Sequence, residues 1–231
     1  LPGPTTFLGR ENPFYFVDQY NAEFNRTIQP MKGGYTDNYY MQMAQNIRRY
    51  KGARAIPKHN GYRKIKIDGT FSDWDNVKIE YRDTKGDVTH RDYNGYGGNH
   101  YINNSGRNDI LRSKVAVDKN NIYFYVETAS NLTNSSDSNW MLLFIDADNN
   151  STTGWYGYDF VINKNIIDNK TTELMKYEIE TNKWIKVETL RYRVKENKME
   201  LKVNRKLLGC HKDKFIFDFK WADALPRRAS Q

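Results

Sequence analysis

Cysteine is almost absent from this chain, since Cys210 is the only one among 231 residues. A single cysteine cannot form an internal disulfide, so the fold must be held by its core, and a cytosolic or a disulfide-free secreted context stays open. Histidine is also scarce, and the spacing of His59, His90, His100 and His211 fits no zinc site.

Long apolar runs and catalytic signatures are missing as well. No run approaches the roughly 18 residues of a membrane span, and the segment from Leu1 to Pro4 has no signal-peptide pattern, so we expect a soluble chain, mature or fragmentary. No Gly-x-Ser-x-Gly, phosphate-binding glycine loop or His-Glu-x-x-His occurs. Asp18 and Glu23 are the remaining catalytic candidates, but their spacing does not fix the separation of about 5 to 9 Å that glycoside hydrolysis needs. We expect this chain alone to lack catalytic activity.

The charge is strongly basic, with a formal net charge of +8. No acidic residue occurs between Asp37 and Asp68, and that window carries eight basic ones: Arg48, Arg49, Lys51, Arg54, Lys58, Arg63, Lys64 and Lys66. A nucleic-acid surface would be spread over one face and interleaved with aromatic rings. The concentration instead favours a solvated helix end and linker, and a basic polyanion-binding domain is kept as an alternative.

Residues 37–50 have helical spacing, with an apolar stripe of Tyr39, Met43, Ile47 and Tyr50, and Asp37 is a candidate N-cap. An apolar segment at 14–17 and a polar loop at 18–34 precede this helix. Strand, loop and helix in this order predict a β/α unit over residues 1–54, and residues 55–61 have the composition of a linker.

From residue 62 onward the apolar period changes to two. Ile122, Phe124 and Val126 alternate with Tyr123 and Tyr125, which is typical of a strand. The same pattern predicts strands at 63–67, 114–117, 122–128, 140–145, 159–162, 175–180, 192–194, 199–204 and 215–221, with 195–198 as a hairpin turn. This mainly β pattern predicts an antiparallel sandwich or barrel over residues 62–231.

The loop after residue 145 carries oxygen ligands at alternate positions, Asp146, Asp148 and Asn150. Carboxylate and amide oxygens on a tight turn can bind calcium. Residues of these types also form ordinary turns by bonding their own backbone, so both interpretations stay open.

Several segments resemble a known family: 66–77 (KIDGTFSDWDNV), 114–128 (KVAVDKNNIYFYVET), 144–150 (FIDADNN) and 153–160 (TGWYGYDF). Their order and spacing resemble the family-nine carbohydrate-binding module and its DOMON-like β-sandwich relatives over about residues 62–223. The resemblance implies a β-sandwich on secreted or cell-surface bacterial glycoside hydrolases, sugar binding between aromatic rings, and structural calcium. Residues 1–54 resemble the last β/α unit of a glycosidase barrel, which implies a covalently linked catalytic domain. The chain departs from the family after residue 223, so we expect the final strand to be missing and an edge to be exposed.

Sugar-binding candidates are aromatic and polar residues in loops, because pyranose C–H faces stack on aromatic rings. Trp155 and Trp184 lie in or beside polar loops, whereas Trp74 and Trp221 are predicted to be core residues. The long glycine-rich loop at 81–108 is either a binding loop or a crossover, and its candidates are Tyr93, Tyr96, His100, Tyr101 and Arg107. We therefore expect a non-catalytic polysaccharide-binding module, and the alternative is a purely structural sandwich that braces a barrel.

Overall fold

The computed structural model describes residue 50 and residues 61–86, 102–150, 152–210 and 215–223, together with the backbone of 91–94 and 100–101. The predicted strand at 14–17, Asp18, Glu23, the linker at 55–60 and Tyr96 lie outside the described residues, as does the predicted helix except for its last residue, Tyr50. Within the described part, no helix is long and apolar enough to cross a membrane.

The chain divides into two compact units, one of Leu1–Ile56 with Thr89–Asn104 and one of Pro57–Val88 with Ser105–Gln231. The described part is mainly β, and its strands are β1 (Glu80–Arg82), β2 (Arg91–Asn94), β3 (His100–Asn103), β4 (Ile110–Val117), β5 (Asn121–Thr128), β6 (Leu142–Asp146), β7 (Phe160–Ile166), β8 (Thr171–Glu178), β9 (Lys183–Lys195), β10 (Lys198–Asn204) and β11 (Asp218–Ala222). In the first unit, β2 and β3 form an antiparallel hairpin.

The second unit contains one antiparallel sheet in the order β1-β4-β5-β10-β9-β8-β7-β6-β11. Strand β9 is 13 residues long and is shared between two halves of this sheet. Its first part, from Lys183 to Arg191, pairs with β8, and its last part, from Tyr192 to Lys195, pairs with β10. The sheet therefore curls at β9, and β1 and β11 are its edges within the described residues.

The main core combines side chains from both halves of the curled sheet. Ile122, Phe124 and Val126 of β5 belong to the same buried cluster as Leu143 and Ile145 of β6. The alternation predicted for β5 is thus confirmed, because these three residues occupy one face of the strand. Burial of such side chains stabilises the fold by about 1.5 to 3 kcal/mol each.

The opposite face of β5 is also buried, under a smaller second core. Tyr123 and Tyr125 pack there against Trp74 and its neighbours in the segment 65–77. The Trp74 indole donates a hydrogen bond of 2.7 Å to Oε2 of Glu200, and the Gly69 N–H donates one of 2.8 Å to Oε1 of the same side chain. This buried carboxylate therefore holds the 65–77 segment against the sheet, and the prediction that Trp74 and Trp221 are core residues is confirmed.

Several predictions need correction. The segment 81–108 is not one loop, because it contains β2 and β3. The strand predicted at 175–180 runs from residue 171 to 178, and the strand predicted at 192–194 is the last part of the much longer β9. Residues 63–67 are not a strand: Arg63 N–H bonds the Val117 carbonyl, but the Lys66 N–H bonds the Asp73 carboxylate instead of a neighbouring strand. The strand predicted at 140–145 begins at residue 142, because Met141 has φ 43°. The last strand begins at residue 218 rather than 215.

Candidate functional site

The outer face of the β6–β9 half carries an apolar row bounded by lysines. Leu143 and Ile145 face the core, so Phe144 between them faces outward. Its cross-strand neighbours continue the row across the sheet in the order Lys220, Phe144, Val161, Met175 and Lys186. The row gives this outer face an apolar floor with a lysine at each end, and the Nζ of Lys186 is ion-paired with Oε1 of Glu173 at 2.7 Å.

Five rings gather on this floor and form what we call the aromatic cluster: Phe144, Trp155, Tyr158, Tyr177 and Trp184. Trp155 stacks on Phe144 with ring centroids 5.4 Å apart and an interplanar angle of 19°. The centroids of Trp155 and Trp184 lie 6.2 Å apart with their planes inclined by 58°. Trp155 is 37% exposed, so a ligand in solvent can reach it.

A tight turn holds Trp155 in this position. The Trp155 N–H donates to the Tyr158 carbonyl at 2.8 Å, and the Tyr158 N–H donates back to the Trp155 carbonyl at 3.1 Å. Gly154 has φ +62°, and a Cβ at this position would lie 2.3 Å from the Tyr158 carbonyl oxygen. The close approach requires glycine, because no side chain fits between these two backbone segments.

Beside the aromatic cluster lies an acidic cluster of Asp146, Asp148 and Asp159, with one carboxylate oxygen of each within 4.8 Å of the others. Asp146 is buried, Asp159 is half-buried and Asp148 is exposed. The Ala147 N–H donates to Asp159 at 2.9 Å, and the Asp148 N–H donates to Asp146 at 3.2 Å. Two oxygens bound to one calcium at about 2.4 Å can be at most about 4.8 Å apart, so the cluster has dimensions that suit this ion.

The electrostatics of the acidic cluster favour a bound cation. Burial raises the pKa of Asp159, and the neighbouring charges of Asp148 and Asp146 raise it further. Asp218 on β11 lies directly opposite Asp146 and adds a fourth carboxylate to this region. Because like charges this close repel, a hard divalent cation would lower the free energy of the ionised cluster.

The structure brings several predicted residues together and adds others. Trp155 contacts Trp184 in the aromatic cluster, and Asp146 lies beside Asp148 in the acidic cluster. Oδ1 of Asn150, the third predicted metal ligand, accepts hydrogen bonds from the backbone N–H and the hydroxyl of Thr152. Asp159 was missed by the sequence analysis. Predicting it would have required the register of this hairpin, because the pairing of Ile145 with Phe160 makes the two residues just beyond the ladder, 146 and 159, face each other.

The remaining predicted ligand residues are members of neither cluster as defined above. Arg107 donates from Nε to Asp223 at 2.6 Å and from Nη2 to the Ser138 carbonyl at 3.1 Å, so its guanidinium ties loops together. In the β2–β3 hairpin of the first unit, Tyr93 lies opposite Tyr101, and His100 lies opposite Asn94.

Comparison of the chain with protein-family models, with curated proteins and with solved structures gives no match. The function therefore has to be argued from the aromatic and acidic clusters themselves. Of the eight basic residues in the basic window between Asp37 and Asp68, the structure describes Arg63, Lys64 and Lys66, and the role of this window stays a prediction.

Proposed function

We propose that this chain is a non-catalytic carbohydrate-binding module. The observation that carries the proposal is the aromatic cluster, in which Trp155 and Trp184 lie side by side on an outer sheet face and Trp155 is open to solvent. The axial C–H groups of a pyranose stack on the exposed face of such a ring. Stacking gives binding without bond chemistry.

Polar groups around the rings supply the hydrogen bonds that sugar hydroxyls need. Lys220 is exposed at one end of the row that contains Phe144, the ion pair of Lys186 with Oε1 of Glu173 (2.7 Å) lies at the other end, and Asp148 is exposed beside the turn that carries Trp155. Ammonium groups donate to hydroxyl oxygens, and carboxylates accept from hydroxyl hydrogens. A neutral polysaccharide is the ligand class that uses both kinds of partner together with an aromatic floor.

Calcium is the second part of the proposal. We propose that Asp146, Asp148 and Asp159 bind one Ca²⁺, with remaining ligands from carbonyl oxygens or water. Since these residues bracket the loop that carries Trp155, the ion would hold the loop in the conformation that presents the ring. Support comes from the dimensions of the cluster and from the raised pKa of Asp159.

The resemblance to the family-nine carbohydrate-binding module supports the same proposal for the whole fold. We propose that the two halves of the curled sheet form a β-sandwich, because one buried cluster contains residues from both. A linked glycoside-hydrolase domain and a secreted or cell-surface location are proposed on the resemblance. Such a module would act by raising the local concentration of a tethered enzyme on its polysaccharide.

A glycan array probed with and without EDTA tests the proposal. We expect binding to one class of polysaccharide that EDTA weakens. Trp155→Ala and Trp184→Ala should each weaken binding by roughly five- to thirtyfold, because sugar stacking on an exposed ring is worth about 1 to 2 kcal/mol. Tyr62→Ala is the matched control, since Tyr62 is 51% exposed and belongs to no part of the aromatic cluster. Absence of binding to every glycan would leave a purely structural role for this outer face.

A further inference from the structure

A sixth ring, Tyr156, lies beside the aromatic cluster and is left almost entirely in solvent. Its side chain is 85% exposed. Its ring meets that of Trp155 at an interplanar angle of 84°, with the ring centroids 5.1 Å apart. Trp155 stacks on Phe144 with one face, so its other face is the one that a sugar can reach. The two planes therefore form a right-angled corner, with Trp155 as its floor and Tyr156 as its wall.

Tyr156 has an unfavourable backbone conformation. The Tyr158 N–H donates to the Trp155 carbonyl at 3.1 Å, so residues 155–158 form a turn whose two central residues are Tyr156 and Gly157. Both have a positive φ, 51° and 91°, which is the pattern of a type I′ turn. Asn-Gly is a preferred pair in such a turn, and a bulky side chain in the left-handed region costs free energy.

Burial of the Tyr156 ring does not offset this strain. The hydrophobic effect stabilises a side chain in proportion to the apolar area that leaves water, and this ring stays mostly in water. The turn itself would form more easily with Asn or Gly at this position. A strained, exposed aromatic ring that touches the proposed sugar platform contributes little to the folded state, so its role lies in the bound state.

A sugar stacked on Trp155 would turn its side toward this wall. The axial C–H groups of the pyranose face the floor, and its equatorial substituents point outward around the ring. A hexopyranose carries a hydroxymethyl group at this periphery, whereas a pentopyranose such as xylose carries none. Burial of one additional CH₂ group against an aromatic ring corresponds to a gain in affinity of about fourfold.

We propose that Tyr156 is a specificity-determining residue, whose ring contacts the hydroxymethyl group of a hexose stacked on Trp155 and thereby favours hexose polymers over pentose polymers. This inference rests on the proposed glycan binding and adds the class of sugar that the site prefers. Because the ring makes the contact, the Tyr156 hydroxyl is not required.

The test is calorimetric titration of the whole chain, in calcium, with cellohexaose and with xylohexaose, two neutral oligosaccharides of the same linkage that differ in the hydroxymethyl group. We expect the wild type to bind cellohexaose about three- to fivefold more tightly. Tyr156→Asn should bind the two with equal affinity and melt at the same or a higher temperature than the wild type, because Asn-Gly suits this turn. Tyr156→Phe keeps the ring and should keep the preference.

Glu196→Asn is the matched control, because Glu196 is also exposed and also has a positive φ, 55°. It should keep the preference for cellohexaose. Trp155→Ala should weaken the binding of both oligosaccharides, which separates the effect of the floor from that of the wall.

Three results would overturn this inference while the proposed glycan binding stands. They are equal affinity of the wild type for the two oligosaccharides, an unchanged preference in Tyr156→Asn, or a lower melting temperature of this variant, which would show that the ring is structural. If the wild type binds neither oligosaccharide, the specificity for hexose polymers is also refuted, and the glycan array alone decides whether the aromatic cluster binds glycan.

Discussion

Glu200 is a fully buried carboxylate whose two oxygens accept hydrogen bonds from Trp74 and Gly69. Burial raises the pKa of Glu200 above its ordinary value of 4.5. The folded state therefore binds more protons than the unfolded state above about pH 4.5, and the free energy of unfolding falls as pH rises from there through the folded pKa. Glu200→Gln removes this titration, so we expect a flatter pH dependence in urea unfolding followed by tryptophan fluorescence. Parallel pH profiles for the two proteins would contradict this prediction.

Trp74 and Glu200 show how far single residues could be predicted from the sequence. Trp74 was predicted to be a core residue from its place in the Asp-Gly-x-x-x-Asp-Trp motif of residues 68–74. Its hydrogen-bond partner is 126 residues away in the sequence. The local pattern does not predict that Glu200 is buried. It lies between Met199 and Leu201 on an alternating strand, and such a position normally faces solvent.

Asp159 offers a second prediction at this scale. In the wild type we expect millimolar CaCl₂ to raise the melting temperature at pH 7, because a ligand at about 100 times its Kd adds about 2.7 kcal/mol to the free energy of unfolding. Asp159→Asn should abolish that rise, since it removes one of the three clustered carboxylates. Differential scanning calorimetry in calcium and in EDTA measures both.

Asp75→Asn is the control for the calcium prediction, because Asp75 is an exposed carboxylate outside the acidic cluster. It should keep the full calcium response. The calcium assignment fails if the wild type melts at the same temperature in calcium and in EDTA, or if Asp159→Asn responds as the wild type does.

At the scale of elements, the loop between β6 and β7 is the part on which the site depends. Gly154→Ala would place a methyl group 2.3 Å from the Tyr158 carbonyl oxygen, so the turn must open. We expect a loss of about 1 to 3 kcal/mol in stability and weaker glycan binding. Gly209→Ala is a matched control, because Gly209 also has a positive φ, +73°, but has no atom within 4 Å of the added methyl. Denaturant unfolding and glycan affinity of both variants measure the difference.

If the two glycine variants lose equal stability and both keep full glycan affinity, the tight turn at Gly154 does not position Trp155. An equal loss of stability with weaker binding in Gly154→Ala alone would still support the role of the turn, since both glycines have a positive φ and both variants carry the same backbone strain.

The strands were largely predictable because their signal is local. The strands β5 and β10 were predicted correctly, because apolar and polar residues alternate along each of them. The segment 63–67 alternates in the same way but is not a strand, since Asp73 takes the Lys66 N–H that a neighbouring strand would need. The length of β9 and the change of partner within it depend on two different neighbours, which periodicity does not encode.

At the scale of the whole molecule, the net charge of +8 separates two accounts of binding. Stacking on Trp155 and Trp184 depends little on ionic strength, so glycan affinity should change by less than about twofold between 50 and 500 mM NaCl, measured with the calcium concentration held fixed. Binding to a polyanion would fall steeply over that range, because it releases counterions. A steep fall for the preferred glycan would favour the basic window over the aromatic cluster.

The architecture as a whole was predictable in class but not in arrangement. The mainly β, antiparallel character followed from repeated short alternating segments. The order of the strands and the curl at β9 require contacts between residues far apart in sequence. The convergence of Trp155 and Trp184 has the same origin, because Trp184 reaches the cluster through its pairing with Tyr177 on β8.

The most direct test of the central claim is calorimetric titration of the preferred glycan into the wild type, Trp155→Ala, Trp184→Ala and Tyr62→Ala. The account predicts that both tryptophan variants bind roughly tenfold more weakly or not at all, while Tyr62→Ala binds as the wild type does. Folded tryptophan variants that bind the glycan with wild-type affinity would contradict it.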